Sequence, residues 1–445
     1  MDLADLGAAQ LARMIADGEI TSTELVEACL ARIDAREDEV QAWTHLDRPF
    51  ALKQAEALDA HRATGAPCGP LHGIPVGIKD IFDTADFPTE NGSVLDAGRR
   101  PLTDCTVVSR LKSAGAVIMG KTVTTEFAVY APGKTRNPHD PERTPGGSSS
   151  GSAAAVAAGM VPLAVGTQTN GSVIRPASYC GVVGLKPTHG RISRAGVLVL
   201  SRVLDHIGIF ARSLEDAALI GDSLMAHDPM DPDTFPAAAP ALADIRRQDP
   251  PIEPRLAFVK TPAWEKAEPA AQAAFEELRD FLGDQCEEVQ MPAEFDAAVA
   301  NHRAIMSADL ARFLSAYMER GADKISATLR GMITDGASVT AVDYHDSVDQ
   351  AEALAAWVDS LCNDFDAIIA PSSCGEAPLG LEATGDPVFC TTWTYLGVPA
   401  VSLPLMEGEN GMPVGVQLIG PRGDDARLLR TASWLVNRLA EEDPS

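Results

Sequence analysis

The chain has 445 residues, 45% of them hydrophobic, and a formal net charge of −27 at pH 7. It can bury a large core, and so acidic a chain excludes a module that grips a nucleic-acid backbone, which needs clustered Lys and Arg. Eight cysteines without Cys-x-x-Cys spacing and nine histidines without a His-x-x-x-His pair beside an acid argue for reduced thiols; no metal site and no cofactor are expected.

Met1-Asp-Leu-Ala-Asp-Leu6 is acidic and lacks the basic start and apolar centre of a signal peptide. No uninterrupted apolar run reaches the roughly 18 residues of a membrane span, so a cytoplasmic protein without membrane contact is expected. Residues 1–62 read as helical, with Thr21-Ser-Thr-Glu24 as a capping box ahead of the apolar-periodic stretch Leu25–Ile33. Strands and helices alternate from 73 to 220. Residues 226–254, rich in Pro, Asp and Ala, read as a long surface connection. Residues 264–364 read as mainly helical, Phe275, Leu278, Phe281 and Leu282 recurring at core-stripe spacing. Strands return over 366–420, beginning with Asp366-Ala-Ile-Ile-Ala-Pro371. This alternation predicts an α/β fold with a large mixed β-sheet core covered on both faces by helices.

Three segments carry chemistry. In Gly166-Thr-Gln-Thr-Asn-Gly-Ser-Val-Ile-Arg-Pro-Ala177, Ser172 follows the turn residues Asn170-Gly171 and the apolar run Met160–Val165, which reads as a buried strand. A glycine in such a turn lets successive N–H groups face one point and bind an oxyanion beside a serine nucleophile. In Thr144-Pro-Gly-Gly-Ser-Ser-Ser-Gly-Ser-Ala-Ala-Ala-Val-Ala-Ala-Gly159, a Gly/Ser loop runs into an alanine helix that ends at a glycine. In Gly73-Ile-Pro-Val-Gly-Ile-Lys-Asp80, a short apolar strand delivers Lys79 from a hydrophobic setting, where desolvation can hold a lysine neutral and make it a base.

Together these segments resemble the amidase signature family, with its Gly-Gly-Ser-Ser-Gly-Gly-Ser loop, Gly-Thr-Asp-Thr-Gly-Gly-Ser turn and Gly-Ile-Pro-x-x-x-Lys-Asp strand. The 24 positions from Ser148 to Ser172 (172 − 148) match the family's two serines. Further similar phrases include Gly115–Thr122, Glu126-Phe-Ala128, Cys180–Thr188, Leu204-Asp-His206, Pro399–Pro404 and Pro413–Gly420. The signature runs from about 70 to 190 and resumes near 366; although length alone suggests two or three domains, 1–445 therefore reads as a single domain. The resemblance implies Ser172 as nucleophile, Ser148 as a bridging serine after a cis peptide bond, and Lys79 as base. It implies oxyanion N–H groups at Thr169, Asn170, Gly171 and Ser172, with Arg175 and Ser149 in substrate binding.

Several positions depart from the family pattern. Asn170 and Ser150 replace glycines, and asparagine is the residue after glycine that best tolerates a left-handed backbone. Gln168 stands where many members have aspartate, and Arg175 lies three residues after Ser172 rather than two. The Ser-Val-Ile-Arg-Pro-Ala form is similar to that of malonamidase-type members, in which this arginine binds a substrate carboxylate; the alternative reading is that Arg175 ties down backbone carbonyls and braces the loop carrying Ser172. Met306, Phe313, Tyr317, Phe389 and Trp393 are candidates for an apolar pocket, with ordinary core packing the simpler reading.

Two competing motifs fail on context. Gly115–Lys121-Thr122 matches a phosphate loop by letter, yet a helix precedes it and Ala116-Val-Ile-Met119 within it reads as a strand. Gly147-Ser-Ser149-Ser-Gly151 matches a nucleophile elbow, yet polar residues precede it, and no histidine follows His345 to serve that fold. The expected function is hydrolysis of a C–N amide-type bond in a small molecule through a serine acyl-enzyme. Alternatives are a carbamate or urea-type hydrolase, and the amidase component of a tRNA-dependent amidotransferase, whose partner chain holds the tRNA. The expected partner is a small amide or carbamate substrate, and a homodimer stays open.

Overall fold

The computed structural model describes residues 2–441, and in it the apolar runs bounded by turn residues become one eleven-stranded sheet. Its strands are β1 (Trp43–Leu46), β2 (Pro75–Lys79), β3 (Val117–Thr122), β4 (Leu163–Gln168), β5 (Val183–Lys186), β6 (His206–Ala211), β7 (Leu256–Phe258), β8 (Cys286–Glu288), β9 (Ala367–Pro371), β10 (Ala400–Glu407) and β11 (Pro413–Ile419). They lie in the order β1-β3-β2-β4-β6-β5-β10-β11-β9-β7-β8. The sheet is mixed: β2 runs parallel to β3 and β4, and β7 parallel to β8 and β9. Between these groups β4, β6, β5, β10, β11 and β9 alternate in direction. Helices cover both faces, as the α/β reading expects. Every residue of β2, β3, β4, β6 and β9 is buried, which is why these strands read as continuous apolar runs without polar alternation.

The parallel register of Val76 with Leu163 and Ile78 with Val165 brings the ends of β2 and β4 side by side. Lys79 ends β2 and Gln168 ends β4, so both chemical segments emerge at one edge of the same layer. The Ser150–Ala157 helix is laid against them. Its Gly151 donates to Val123 O, and a Cβ there would come 2.3 Å from Ala42 O and 2.4 Å from Val123 N. Only glycine admits that approach, which sets the depth of the Gly/Ser loop.

The structure corrects one reading of the chain and adds detail to two others. Residues 1–62 are not all helix: Trp43–Leu46 pairs antiparallel with β3, a strand of four residues that is too short to announce itself by periodicity. The 226–254 connection contains a short helix, Leu242–Arg246, and is pinned by its acids. There Asp228 accepts from Thr106 Oγ1 at 2.6 Å and Ser193 Oγ at 2.5 Å, while Asp231 grips Arg194 at 2.9 Å. The mainly helical 264–364 stretch contributes β8, made by Cys286-Glu-Glu288, whose two glutamates hide it from a search for apolar strands. No helix among the described residues is long and apolar enough to cross a membrane.

Candidate active site

Lys79 is fully buried, and its ammonium nitrogen meets three hydroxyls: Ser148 Oγ at 2.7 Å, Thr167 Oγ1 at 2.9 Å and Ser149 Oγ at 3.0 Å. No carboxylate touches it. Burial therefore pushes its pKa well below the usual lysine range, opposed only by the more distant charge of Asp205. The bond between Gly147 and Ser148 is cis, and Ser148 O accepts from Thr125 N at 3.2 Å. The structure thus joins Lys79 to Ser148. Ser172 Oγ, in a residue 8% exposed, has no hydrogen-bond partner among the described residues and stands free to turn.

The loop after β4 is held by its carbonyls. Thr394 Oγ1 donates to Asn170 O, and Arg175 N donates to Gly171 O at 3.0 Å. In a trans peptide the C=O of one residue and the N–H of the next point in opposite directions. Holding these two carbonyls therefore turns the N–H groups of Gly171 and Ser172 to the other side. The N–H groups of Thr169, Asn170, Gly171 and Ser172 have no protein acceptor among the described residues. Neither Asn170 nor Gly171 takes a positive φ, so the tolerance of asparagine for a left-handed backbone is not called on here. Instead, Asn170 ties the loop sideways, donating to Tyr130 OH at 2.9 Å and accepting from Thr391 Oγ1 at 2.6 Å. Gly171 is needed for space: a Cβ would lie 2.9 Å from Pro387 and 3.0 Å from Arg175 Nη1.

Gln168 explains its departure from aspartate. Its Oε1 accepts from Val173 N at 2.8 Å and Ile174 N at 3.0 Å, capping the Ile174–Cys180 helix, while its Nε2 donates to Thr394 Oγ1 at 2.8 Å. An ionised aspartate has no N–H for that last bond. Arg175 is 1% exposed; its Nε donates to Thr384 O at 2.7 Å, and its Nη2 to Gly147 O at 2.7 Å and Thr384 Oγ1 at 3.0 Å. Nη1 is buried without a partner. Ser149, expected at the substrate, is fully buried and turned to β4: it accepts from Lys79 and Thr167 N and donates to Thr167 O at 3.2 Å. At the entry to the Ser150–Ala157 helix its side chain points inward, tying Lys79 to the end of β4.

The sequence reading missed Asp205, Thr384 and Thr394. Asp205 accepts from Thr169 Oγ1 at 2.7 Å and from Leu200 N and Ser201 N at 2.8 and 2.9 Å. Its signal was present in the phrase Leu204-Asp-His206, whereas nothing in sequence spacing links Thr384 or Thr394 to Ser172. A cavity of about 300 Å³, walled partly by Ile81, Leu198, Leu200 and Arg194, reaches Thr167 and Thr169. Of the candidate pocket residues, Met306, Phe389 and Trp393 are core. Tyr317 packs on Phe127 and donates to Asp96, and Phe313 lines a separate cavity of about 680 Å³.

Lys121, the lysine of the phosphate-loop look-alike, is buried in β3, ion-paired to Asp80 at 3.1 Å and bonded to Phe82 O at 2.8 Å, so it has no phosphate to meet. His45, Asp80 and Glu90 bring ligand atoms within 4.8 Å of one another. That trio is satisfied internally, since Asp80 holds Lys121 and His45 Nε2 meets Glu90 at 3.0 Å.

The Amidase family model matches residues 24–429, and the chain belongs to that family. Its fold and its relatives define an amidase-type hydrolase of carbon–nitrogen bonds. The A-type component of the glutamyl-tRNA(Gln) amidotransferase of Salinispora arenicola is 36% identical, covering 100% of this chain and 99% of the relative. Its counterpart in Chloroflexus aurantiacus is 39% identical over 96% of this chain and 95% of its own length. Among solved structures, the peptide amidase of Stenotrophomonas maltophilia has a TM-score of 0.86 at 29% identity, covering 98% of this chain and 97% of that one. A chain from a vestigial protein complex bearing on the origins of an s-triazine catabolic enzyme has a TM-score of 0.90 at 30% identity, covering 97% and 98%.

Proposed function

We propose that the chain cleaves an amide-type C–N bond through Ser172, with Lys79 as the base and Ser148 as the relay. The observation that carries this reading is the buried Lys79, which has only hydroxyls around it and one of them, Ser148 Oγ, at 2.7 Å. A neutral lysine takes the Ser148 proton as Ser148 takes that of Ser172, and the Ser172 oxygen attacks the carbonyl carbon. The N–H groups of residues 169–172 receive the developing oxyanion. The proton then passes back through Ser148 to the leaving nitrogen, which departs as amine or ammonia. Water, deprotonated along the same path, hydrolyses the acyl-enzyme and frees Ser172.

Three readings share this chemistry. Near-full-length identity of 36–39% to the A-type components of glutamyl-tRNA(Gln) amidotransferases supports a chain that works as one component of an amidotransferase with a partner, and it does so more directly than anything supports a stand-alone enzyme. Solved neighbours such as the peptide amidase and 6-aminohexanoate cyclic dimer hydrolase support a free-standing hydrolase of small amides. Carbamate or urea-type cleavage uses the same site and is the third reading. Ammonia and amine release by the purified chain on glutamine, small amides, carbamates and ureas, with Ser172→Ala as control, tests the chemistry; no Ser172-dependent release on any of them sinks it. A stoichiometric partner co-purifying from the native source, together with glutamine as preferred donor, assigns the amidotransferase setting. Turnover of simple amides by a partnerless chain assigns the stand-alone one.

A further inference from the structure

We propose that His302 is a positioning residue for the oxyanion loop, setting the direction of the Asn170 N–H without touching the substrate. This rests on the reading of residues 169–172 as the oxyanion site. Two of the loop's three successive peptide planes are held by Thr394 on Asn170 O and by Arg175 N on Gly171 O. The third is held by His302, whose Nε2 lies 2.9 Å from Thr169 O. A carbonyl only accepts, so Nε2 carries the proton and donates. Because Thr169 C=O and Asn170 N–H share one planar peptide, fixing the first toward His302 turns the second the opposite way. Thr169 is clamped at both ends, since its hydroxyl is bound to Asp205 at 2.7 Å.

The donor comes from an unexpected place. His302 sits on the Ala298–Gly321 helix, between the two stretches, about 70 to 190 and from near 366, that carry the signature. It is 2% exposed, and burial lowers its pKa to about 4, so near neutral pH it is an uncharged donor. The same helix reaches the loop a second time. Two turns on, Asp309 accepts from Ser201 Oγ at 2.6 Å, and Ser201 N donates to Asp205 at 2.9 Å. Both lines converge on Thr169.

The test compares His302→Gln, whose amide N–H reaches about as far as Nε2, with His302→Asn, one methylene shorter, and with the apolar His302→Leu. Each is assayed for kcat and KM on the best amide, for inhibition by a boronic acid whose adduct places an oxygen in the oxyanion site, and for Tm. Misplaced catalytic groups cost up to roughly a hundredfold in rate, so Asn and Leu should lower kcat by roughly tenfold to a hundredfold. KM should stay within about twofold, and boronate affinity should fall by the same factor as kcat, because the loop acts on the transition state. Gln should restore kcat to within about threefold of wild type. A Gln variant as slow as Leu, a Leu variant with normal kcat, or a loss confined to KM overturns the proposal. If Leu fails to fold, Gln against Asn decides in the same way. Fluorophosphonate labelling of Ser172 in the wild type separates the two levels: a labelled, active enzyme indifferent to His302 overturns only this inference, whereas an unlabelled Ser172 removes the oxyanion reading and this one with it.

Discussion

Arg175 Nη2 donates to the carbonyl oxygen of Gly147 at 2.7 Å, so a residue three places after Ser172 holds the peptide bond that carries Ser148. The two serines lie on different segments, and this guanidinium braces one against the other. Its remaining bonds go to Thr384, which draws a third segment into the same brace.

Arg175→Ala is therefore expected to lower Tm and to depress turnover on acidic and neutral amides alike. Each charge-assisted bond lost contributes about 1.5–3 kcal/mol, and the abandoned carbonyls stay buried. Arg175→Lys should not restore activity, because one ammonium cannot span Gly147 O and Thr384 O in the planar geometry of a guanidinium. Steady-state kinetics on one acidic and one neutral amide, with melting curves, checks this. A selective loss on the acidic amide at unchanged Tm would show instead that the unpartnered Nη1 clamps a carboxylate.

Ser172→Ala should abolish turnover and leave Tm within a degree or two of wild type, since Ser172 Oγ makes no hydrogen bond to the described residues whose loss would be felt. Peptide mapping after fluorophosphonate treatment should find the label on Ser172. A label on Ser149 contradicts the assignment, the more so because Ser149 is fully buried.

Lys79 makes the rate depend on pH with a definite sign. In the proposed mechanism the active form is the neutral amine, so kcat/KM is expected to rise with pH through a midpoint below the usual lysine value of about 10.4, a limb belonging to the proposed Lys79–Ser148–Ser172 unit. Lys79→Ala should lose most of the rate and the limb with it. A variant of near-normal activity and flat profile refutes the base.

The same burial affects stability. The folded pKa of Lys79 lies below the unfolded one, so between the two values the unfolded chain holds a proton that the folded chain lacks. The contribution of this position to stability therefore rises with pH across that window and is smallest below the folded value. Urea unfolding of wild type and Lys79→Met at several pH values up to about 10 should show a shallower pH slope in the variant. Equal slopes would mean that the buried lysine stays charged.

Thr394→Val should be costly although it barely changes volume. It leaves Asn170 O and Gln168 Nε2 buried without their partner, at about 1–3 kcal/mol each, and it releases the peptide plane that aims the Gly171 N–H. The expected outcome is a lower Tm together with a kcat loss larger than any change in KM. A variant with wild-type kcat would show that the Thr394 bond is not needed to aim that N–H.

The sequence alone determined the alternation of strands and helices, the placing of Lys79, Ser148 and Ser172 on three separate segments, and the rejection of the phosphate-loop and elbow look-alikes. Apolar runs, Gly/Ser turns and a lysine at the end of a buried strand are local patterns, and local patterns are what a chain displays. β1 and β8 were not legible, the first because four residues are too few for a period and the second because two of its three residues are glutamates. Tertiary structure decided the rest. Which donors hold Thr169 O, Asn170 O and Gly147 O depends on His302, Thr394 and Arg175, and the first two lie 133 and 224 positions from the carbonyls they hold. Asn170 and Gly171 show the same limit from the other side: the sequence showed only residues that tolerate a left-handed turn, whereas the bonds of Asn170 to Tyr130 and Thr391 and the closeness of Gly171 to Pro387 set the loop without one. A single N–H or carbonyl points where its distant partner lies, and that direction appears only once the chain has folded.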